Sequence, residues 1–434
     1  MQRITILILT YLLFSTMLTS SVNSEILAGS SKISINPFPQ GLNVQLGGYG
    51  ERAGKPAEGV HDTTYAKALV LHDPYKNQYL FIITADICHI PWSVVKHTVA
   101  KAKLPYLNED NLVIMASHTH AGLEGMSLDE RNILQNQHIG IFDPKMLEFI
   151  TSQLAILIKD SLKELHPVTF SSKAVEVVGL NKNRRNDKKP VDSTLNILRF
   201  DRNGAPWVIF VNYTAHETIM TPKEMLLSAG YPGIIQRIVE AFYPGSTCMF
   251  SNGAEGDVAP AGYSGSSAWE KMENYGIALS KVTLEALESM STNPITSFNH
   301  EVLWVELPPK ELAPDFLKIA GDEYRVPEEV ARSVISQLFP DKAPIHGIRI
   351  NSSAIITFPG EPISAIGLAV KQRMREKNIE HPVVVSLTND LIGYILTEEE
   401  YSNSGYEVTA SFYGSQLGAL ITQSAYTLID KLAD

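Results

Sequence analysis

The stretch LVIMASHTH at residues 112–120 is the part of the sequence that best indicates the fold. Its first five residues form an unbroken apolar run of strand length, which is typical of a strand buried on both faces. Other strand-like runs occur at 65–72, 79–85 and 207–213. The sequence therefore predicts a sheet that is covered by other layers.

Helical and strand patterns alternate over the chain, which is typical of an α/β architecture. Apolar residues at helical spacing predict helices over 92–102, 142–165, 232–242, 268–290, 328–338, 363–376 and 415–431. One more strand is predicted to begin at Cys248, and the others lie over 27–35, 65–72, 79–85, 112–117, 168–178, 195–200, 207–213, 301–307, 348–358 and 382–387. We expect a central mixed β-sheet flanked by helices, in a single large domain over residues 25–434.

The composition and charge are those of a globular protein that does not bind nucleic acid. The 434 residues are 44% hydrophobic and 19% charged, so the chain can bury a core and is not disordered. Its net charge of −11 argues against nucleic-acid binding, which needs a basic face. The densest basic stretch is too small for a nucleic-acid channel and comprises Lys182, Arg184, Arg185, Lys188 and Lys189.

The N-terminus has the pattern of a secretory signal peptide over residues 1–24. A positively charged start precedes an apolar stretch at 4–18, and small residues follow before Ser24. We expect cleavage after Ser24 and a secreted or periplasmic protein. An uncleaved anchor is the alternative, although the apolar stretch is short for a membrane span.

The two cysteines, Cys88 and Cys248, cannot form a disulfide framework. Both lie beside apolar runs, which favours two buried free thiols. A single bridge between them is the alternative, because export would expose the chain to an oxidising compartment.

Two histidines follow the buried strand directly. His118 and His120 are two residues apart, and such residues of a strand point to the same side, so both imidazoles can reach one point. Imidazole is a common zinc ligand, and α/β enzymes place ligands beyond the carboxyl ends of their strands. The pair therefore predicts metal binding, with or without substrate contact by one ring, and ordinary polar packing is the alternative.

Other segments also bring ligand-type residues to the ends of predicted strands. His216 follows the strand at 207–213, and Glu361 follows the strand that ends at Phe358. A glycine-rich turn begins at Asn252 and holds Asp257, which we expect to orient a ligating histidine. Two histidines and one glutamate are a familiar catalytic zinc set. Taken one at a time, these residues also fit packing, helix capping or a surface turn.

In their order along the chain, these segments resemble the neutral/alkaline non-lysosomal ceramidase family. Six ordered motifs are more specific than any single one, and they are scattered over most of the chain. They are His118-Thr119-His120-Ala121-Gly122, Asn183-Arg184, His216 after a strand, Gly256-Asp257-Val258-Ala259-Pro260, Pro359-Gly360-Glu361, and the set Tyr394, Tyr401, Tyr406 and Glu407.

The resemblance implies a zinc-hydrolase catalytic domain over residues 25–434. His120, Arg184 and Tyr406 would be the catalytic residues that face the substrate or its oxyanion, with His120 the best candidate for a general acid. The implied zinc ligands are His118, His216, Glu361 and Tyr394. The expected protein is an exported zinc amidohydrolase in which a metal-activated water cleaves an N-acyl amide bond of a ceramide-like lipid or a related compound.

Two departures from the family leave the substrate open. Ala259 stands where the family has a serine, and the sequence has no room for the immunoglobulin-like C-terminal domain of family ceramidases, so we expect a short, divergent member. One alternative is a zinc hydrolase of a small polar amide or ester, with Arg184 and the basic cluster selecting an anionic group. Another is a non-catalytic relative that binds a ligand, which Ala259 would allow. Peripheral contact with a membrane is compatible with the lipid substrate.

Overall fold

The computed structural model describes residues 25–319, 325 and 327–433. The expected signal peptide at 1–24 lies outside these residues. The described strands are β1 Leu27–Ser34, β2 Gly59–Val60, β3 Tyr65–Asp73, β4 Gln78–Ala85, β5 Leu112–Ala116, β6 His166–Pro167, β7 Thr169–Glu176, β8 Asn181–Asn183, β9 Thr194–Arg202, β10 Ala205–Tyr213, β11 Leu226–Leu227, β12 Thr247–Asn252, β13 Val258–Pro260, β14 Asn293–Pro294, β15 Phe298–Glu306, β16 Lys342–Ile350, β17 Ser353–Thr357, β18 Glu361–Pro362, β19 His381–Val385 and β20 Tyr394–Ile395.

Helices cover the strands and lie close to the predicted positions. Within the described ranges, none of them is long and apolar enough to cross a membrane. The described helices are α1 Trp92–Ala102, α2 Pro144–Ser161, α3 Gly230–Phe242, α4 Ala268–Glu288, α5 Glu328–Leu338, α6 Ser364–Glu376, α7 Glu398–Ser402, α8 Tyr406–Thr409 and α9 Leu417–Ala433.

Most strands belong to three mixed sheets, with the orders β5-β4-β3-β1-β6, β12-β10-β9-β7-β14 and β15-β16-β17-β19. In each sheet an edge strand runs parallel to its neighbour, as in the pairs β4 with β5, β10 with β12 and β17 with β19. The other neighbours in these sheets are antiparallel. The α/β class with mixed sheets and helices is confirmed, and its strands are distributed over several sheets.

The inner faces of the three sheets share one apolar cluster. Leu69 of β3, Phe210 of β10 and Ile355 of β17 belong to it, so each sheet contributes one of its faces. Val70, the next residue of β3, belongs instead to the cluster formed with α1 and α2. Because successive side chains of a strand point to opposite faces, both faces of β3 are buried, which explains its continuous apolar run.

One predicted strand is in fact a hairpin. The apolar pattern at 348–358 predicted a single strand, whereas β16 and β17 are antiparallel strands that pair through Ile350 and Ser353. Asn351 lies at the turn with φ +52°, a left-handed conformation that asparagine tolerates better than most residues. The single-strand prediction was wrong because apolar residues flank the turn on both sides.

Hydrogen bonds join the sheets at the carboxyl ends of their parallel strands. The backbone N–H of Ala116, the last residue of β5, donates to the carbonyl of Leu387, which follows β19. Asn389 bonds the same segment to the earlier residues Ile114 and Leu112 of β5. The backbone N–H of Ser386 donates to the carbonyl of Asn252 at the end of β12. The ends of β5, β12 and β19 are therefore held together, which brings the segments that follow the strands to one place.

Candidate metal centre

Side chains from four segments of the chain converge on one buried point. The Nε2 atoms of His118 and His216 are 2.9 Å apart, and Glu361 Oε2 lies 3.7 Å from the first and 3.3 Å from the second. The Tyr394 hydroxyl is 3.5 Å from His216 Nε2. His120 Nε2 is 3.2 Å from His118 Nε2. The structure therefore brings together all four predicted ligands, with His120 beside them.

His118 reaches this point through an unusual backbone conformation. Strand β5 ends at Ala116, and His118 has φ +61°. A histidine in the left-handed region costs free energy, and such residues cluster at functional sites. The two rings do converge, but the reason expected from strand alternation was wrong, because neither histidine lies on the strand.

Backbone carbonyls fix the orientation of the two ligand-type rings. His118 Nδ1 is 2.7 Å from the carbonyl oxygen of Cys88, and His216 Nδ1 is 3.0 Å from that of Glu255. A ring that donates from Nδ1 leaves the lone pair on Nε2 for a metal. Burial lowers the pKa of His118, and it lowers those of His120 and His216 well below their ordinary value, which favours neutral rings.

The donor set fits a divalent metal ion. Glu361 is buried, and its Oε2 has no hydrogen-bond partner among the described residues. Ligand atoms at zinc are roughly 3.3 Å apart when the Zn–ligand distances are near 2 Å, which is close to the separations observed here. His118, His216 and Glu361 can therefore hold an ion together, and Tyr394 lies within reach of the same point.

Arg184 holds Tyr394 in place. Its Nη2 donates to the Tyr394 hydroxyl at 3.0 Å and to the carbonyl of Gly256, while its Nε donates to Glu407 at 2.8 Å. Burial raises the pKa of the Tyr394 phenol well above its usual range, and the Arg184 guanidinium opposes that rise. Arg184 was expected to face substrate, and these contacts give it a positioning role as well.

The prediction that Asp257 orients a ligating histidine was wrong. Asp257 Oδ1 accepts from the backbone N–H and hydroxyl of Ser364 at the start of α6, and Oδ2 accepts from the Asn183 amide. The turn still serves the site, because Asn252 Oδ1 accepts from the backbone of Ala215 beside His216. The backbone carbonyls that do orient the rings carry no side-chain signal in the sequence.

His120 is fixed by two features that sequence reasoning missed. Glu217 Oε2 accepts the backbone N–H of His120 at 3.0 Å. Gly48, with φ +87°, packs so closely on the ring that a Cβ at this position would lie 2.4 Å from His120 Cγ. The density of glycines over residues 38–62 is the signal in the sequence that could have pointed to this segment, because glycine lets the backbone approach a ligand or side chain closely.

A cavity of about 420 Å³ opens beside the cluster. The five converging residues, Arg184 and Tyr406 are part of its lining. Much of the remaining wall is apolar and includes Phe316, Val334, Ile335, Leu338, Phe339 and Phe412. The cavity therefore joins a polar, metal-binding set of side chains to a hydrophobic surface.

Ala259 lies outside this cavity. It lines a neighbouring polar cavity with Lys182, Arg184, Arg185 and Tyr263. Two of these cations are neutralised by carboxylates, since Arg184 pairs with Glu407 and Arg185 pairs with both Glu407 and Glu400. The missing serine hydroxyl would therefore stand away from the converging side chains.

Comparison with known proteins identifies the family of the chain. The sequence profile described as "Neutral/alkaline non-lysosomal ceramidase, N-terminal" matches residues 40–272, which is more than half of the chain. The chain belongs to this family. The resemblance read from the six motifs is confirmed. Of the converging side chains, this match includes the three histidines, whereas Glu361 and Tyr394 lie beyond it.

Relatives of the ceramidase family match parts of the chain. Neutral ceramidase of Pseudomonas aeruginosa is 25% identical over 209 residues, which are 45% of this chain and 31% of the relative. Neutral ceramidase B of Dictyostelium discoideum is 30% identical over 100 residues, which are 22% and 14% of the two chains. The matched segments thus span about a third or less of these relatives.

Solved ceramidase structures share the fold over nearly the whole chain. The crystal structure of neutral ceramidase from Pseudomonas aeruginosa superposes with a TM-score of 0.79 and 20% identity, covering 94% of this chain and 74% of that one. A ceramidase complexed with C2 gives the same TM-score at 19% identity, covering 94% and 75%. At this identity the likeness shows the fold, and the roles of individual site residues stay predictions.

Substitution of His118 tests the metal centre. We expect His118→Ala to lose its bound divalent metal, because His118 Nε2 lies 2.9 Å from His216 Nε2 and is one of three ligand atoms that can hold an ion together. Metal content per chain, measured by inductively coupled plasma mass spectrometry, checks this. His138→Ala is the matched control, since His138 lines the same cavity but bonds through Nδ1 to the carbonyl of Gly50. Equal metal content in the two variants would contradict the site.

Substitution of Gly48 tests the packing over His120. We expect Gly48→Ala to lower the free energy of unfolding by about 1–3 kcal/mol more than Gly41→Ala, because the new methyl overlaps the His120 ring. Gly41 also has a left-handed φ, of +67°, but a Cβ there would meet nothing within 4 Å. Urea denaturation of both variants measures the difference. Equal losses would show that only the backbone conformation matters.

Proposed function

We propose that this chain is an exported zinc-dependent amidohydrolase that cleaves the N-acyl amide bond of a ceramide-like lipid. The observation that carries the proposal is the convergence of two histidines, a glutamate and a tyrosine beside a cavity with an apolar wall. Membership of the ceramidase family supports the reaction class. The donor set of nitrogen and oxygen atoms supports zinc among the divalent ions.

Zinc held by His118, His216, Glu361 and Tyr394 would polarise the amide carbonyl and lower the pKa of water, as it does in other zinc hydrolases. The chain's own residues perform the remaining tasks. His120 lines the cavity, and its Nδ1 has no hydrogen-bond partner among the described residues, so the ring can take up a proton and return it to the leaving nitrogen.

Tyr406 and Arg184 can stabilise the negative charge that develops on the carbonyl oxygen of the substrate amide. Tyr406 lines the cavity, with its ring centroid 6.0 Å from that of Tyr394. Its phenol is suited to donate to an oxyanion. Arg184 contributes positive charge at the same place, although its hydrogen bonds hold Tyr394, Gly256 and Glu407.

The cavity wall favours a lipid over a small polar substrate. An acyl chain would bury its methylenes against α5 and Phe412, and each buried methylene contributes about 0.8 kcal/mol. The alternative of an anionic substrate needs unpaired cations, whereas Arg184 and Arg185 are bound to glutamates. The non-catalytic alternative rested on Ala259, which lies outside the cavity that holds the histidines.

Turnover of matched substrates tests the proposed reaction. We expect kcat/KM to be highest for N-hexadecanoylsphingosine, lower for N-acetylsphingosine, and negligible for N-acetyl amino acids and N-acetyl sugars. Chromatographic measurement of the released fatty acid or amine checks this order. Preference for a polar N-acyl compound would favour the small-substrate alternative, and no turnover by the metal-loaded chain would contradict the hydrolase.

A wall variant separates acyl-chain binding from general damage. Phe412→Ala should lower kcat/KM for the long-chain amide by roughly tenfold or more, because burying an aromatic side chain contributes about 1.5–3 kcal/mol. The N-acetyl substrate should be affected much less. Phe242→Ala, at an exposed position on α3, is the control and should change neither value.

Export is the remaining element of the proposal. It rests on the charged start, the apolar stretch at 4–18 and the small residues before Ser24. We expect the expressed full chain to be found outside the cytoplasm with Glu25 at its N-terminus. Cell fractionation with N-terminal sequencing measures this, and an intact N-terminus in the cytoplasmic fraction would contradict it. Peripheral membrane contact stays a prediction.

A further inference from the structure

A second set of metal-type ligands overlaps the first. Cys88, His118 and His120 each offer one ligand atom, and these atoms lie within 4.8 Å of one another. The Sγ of Cys88 is 3.9 Å from His118 Nδ1. The proposed reaction leaves the Cys88 thiol without a task, although Cys88 lines the same cavity as the histidines.

The members of this set are buried, and one ring nitrogen of His120 lacks a hydrogen-bond partner among the described residues. Only 3% of Cys88 and 5% of His120 is exposed. His120 Nδ1 makes no hydrogen bond within the described residues, which is uncommon for a buried polar atom. A ligand that accepts electron pairs from nitrogen and sulfur would satisfy both side chains.

Two successive glycines make room for this arrangement. A Cβ at Gly47 would lie 2.4 Å from Cys88 Cβ and 2.9 Å from Sγ, while one at Gly48 would lie 2.4 Å from the His120 ring. Arg52 ties the segment down, because its guanidinium donates to the carbonyls of both Gly47 and His120. The Cys88 thiol and the His120 imidazole therefore both pack against the segment Gly47-Gly48.

We propose that Cys88, His118 and His120 form an inhibitory site for a thiophilic divalent cation such as Cd²⁺ or excess Zn²⁺. Thiolate and imidazole together prefer soft and borderline metals over Mg²⁺ or Ca²⁺. Binding forms a metal–sulfur bond, and the thiol proton leaves to solvent. No oxidation is involved.

Occupation of this inhibitory site stops the reaction because it takes two side chains from the proposed mechanism. The site shares His118 with the first metal set, and two divalent ions on one imidazole repel each other, so we expect an ion held by Cys88 to displace the zinc. It also engages His120, which is then unable to carry a proton to the leaving nitrogen. This inference goes beyond the proposed function. Its main readout is metal binding, which can be measured whether or not the chain is an amidohydrolase.

Cadmium titration of the purified full chain tests the inhibitory site. We expect one equivalent of Cd²⁺ to produce thiolate-to-cadmium charge-transfer absorption in the near ultraviolet, with loss of bound zinc. Cys88→Ser should lose the absorption. It should also need roughly tenfold or more Cd²⁺ to release zinc, because loss of a metal ligand weakens metal binding at least as much as loss of a residue that only orients a ligand. Cys248→Ser is the matched control, since Cys248 is the other buried free thiol, and it should behave as the parent.

A second variant decides the outcome if Cys88→Ser does not fold. His120→Gln keeps both thiols, and its cadmium absorption should need roughly tenfold or more metal. Equal absorption in Cys88→Ser and the parent, or loss of absorption only in Cys248→Ser, would overturn the proposal. Because absorption needs no substrate, a chain without amidase activity that still shows Cys88-dependent absorption would refute the proposed function alone.

Discussion

The close approach of His118 Nε2 and His216 Nε2 is the constraint on which the site depends. Both rings can donate from Nδ1 to backbone carbonyls, so both Nε2 atoms present lone pairs at 2.9 Å, with the Glu361 carboxylate beside them. Three electron-rich atoms this close repel one another unless a cation or a proton lies among them. A bound metal ion would therefore stabilise the fold as well as the reaction, because the unfolded chain offers no such site.

That constraint explains why several sheets must meet. The two histidines follow β5 and β10 of different sheets, and Glu361 follows β17 of a third. A shared apolar cluster fixes the inner faces of these sheets, and the backbone N–H of Ala116 at the end of β5 donates to the carbonyl of Leu387 after β19. The ion pairs of Glu407 with Arg184 and Arg185 hold α8 against the residues that follow β8, and Arg184 also donates to the Tyr394 hydroxyl.

Much of the site was predictable from the sequence because strand ends are visible in it. Apolar runs followed by polar residues located His118, His216 and Glu361, and the α/β class followed from the same alternation. Tyr394 was reached only through the family resemblance, since a tyrosine near a turn has no distinctive local pattern. Asp257 was misassigned because an acidic residue in a tight turn serves a helix N-terminus as readily as a histidine. The left-handed φ of His118 is set by tertiary contacts, which spacing along the chain does not encode.

The family match covers only some of the residues that line the cavity. The three histidines lie within the matched residues 40–272, whereas α5 and Phe412 of the apolar wall lie beyond them. The histidines can be inherited while the wall changes, because the wall acts through area and shape, which many apolar residues supply. Reaction class should therefore follow the family more closely than acyl-chain preference. Gly47 packs on Cys88 and Gly48 packs on His120, so two successive glycines are needed here because both side chains lie beneath this segment.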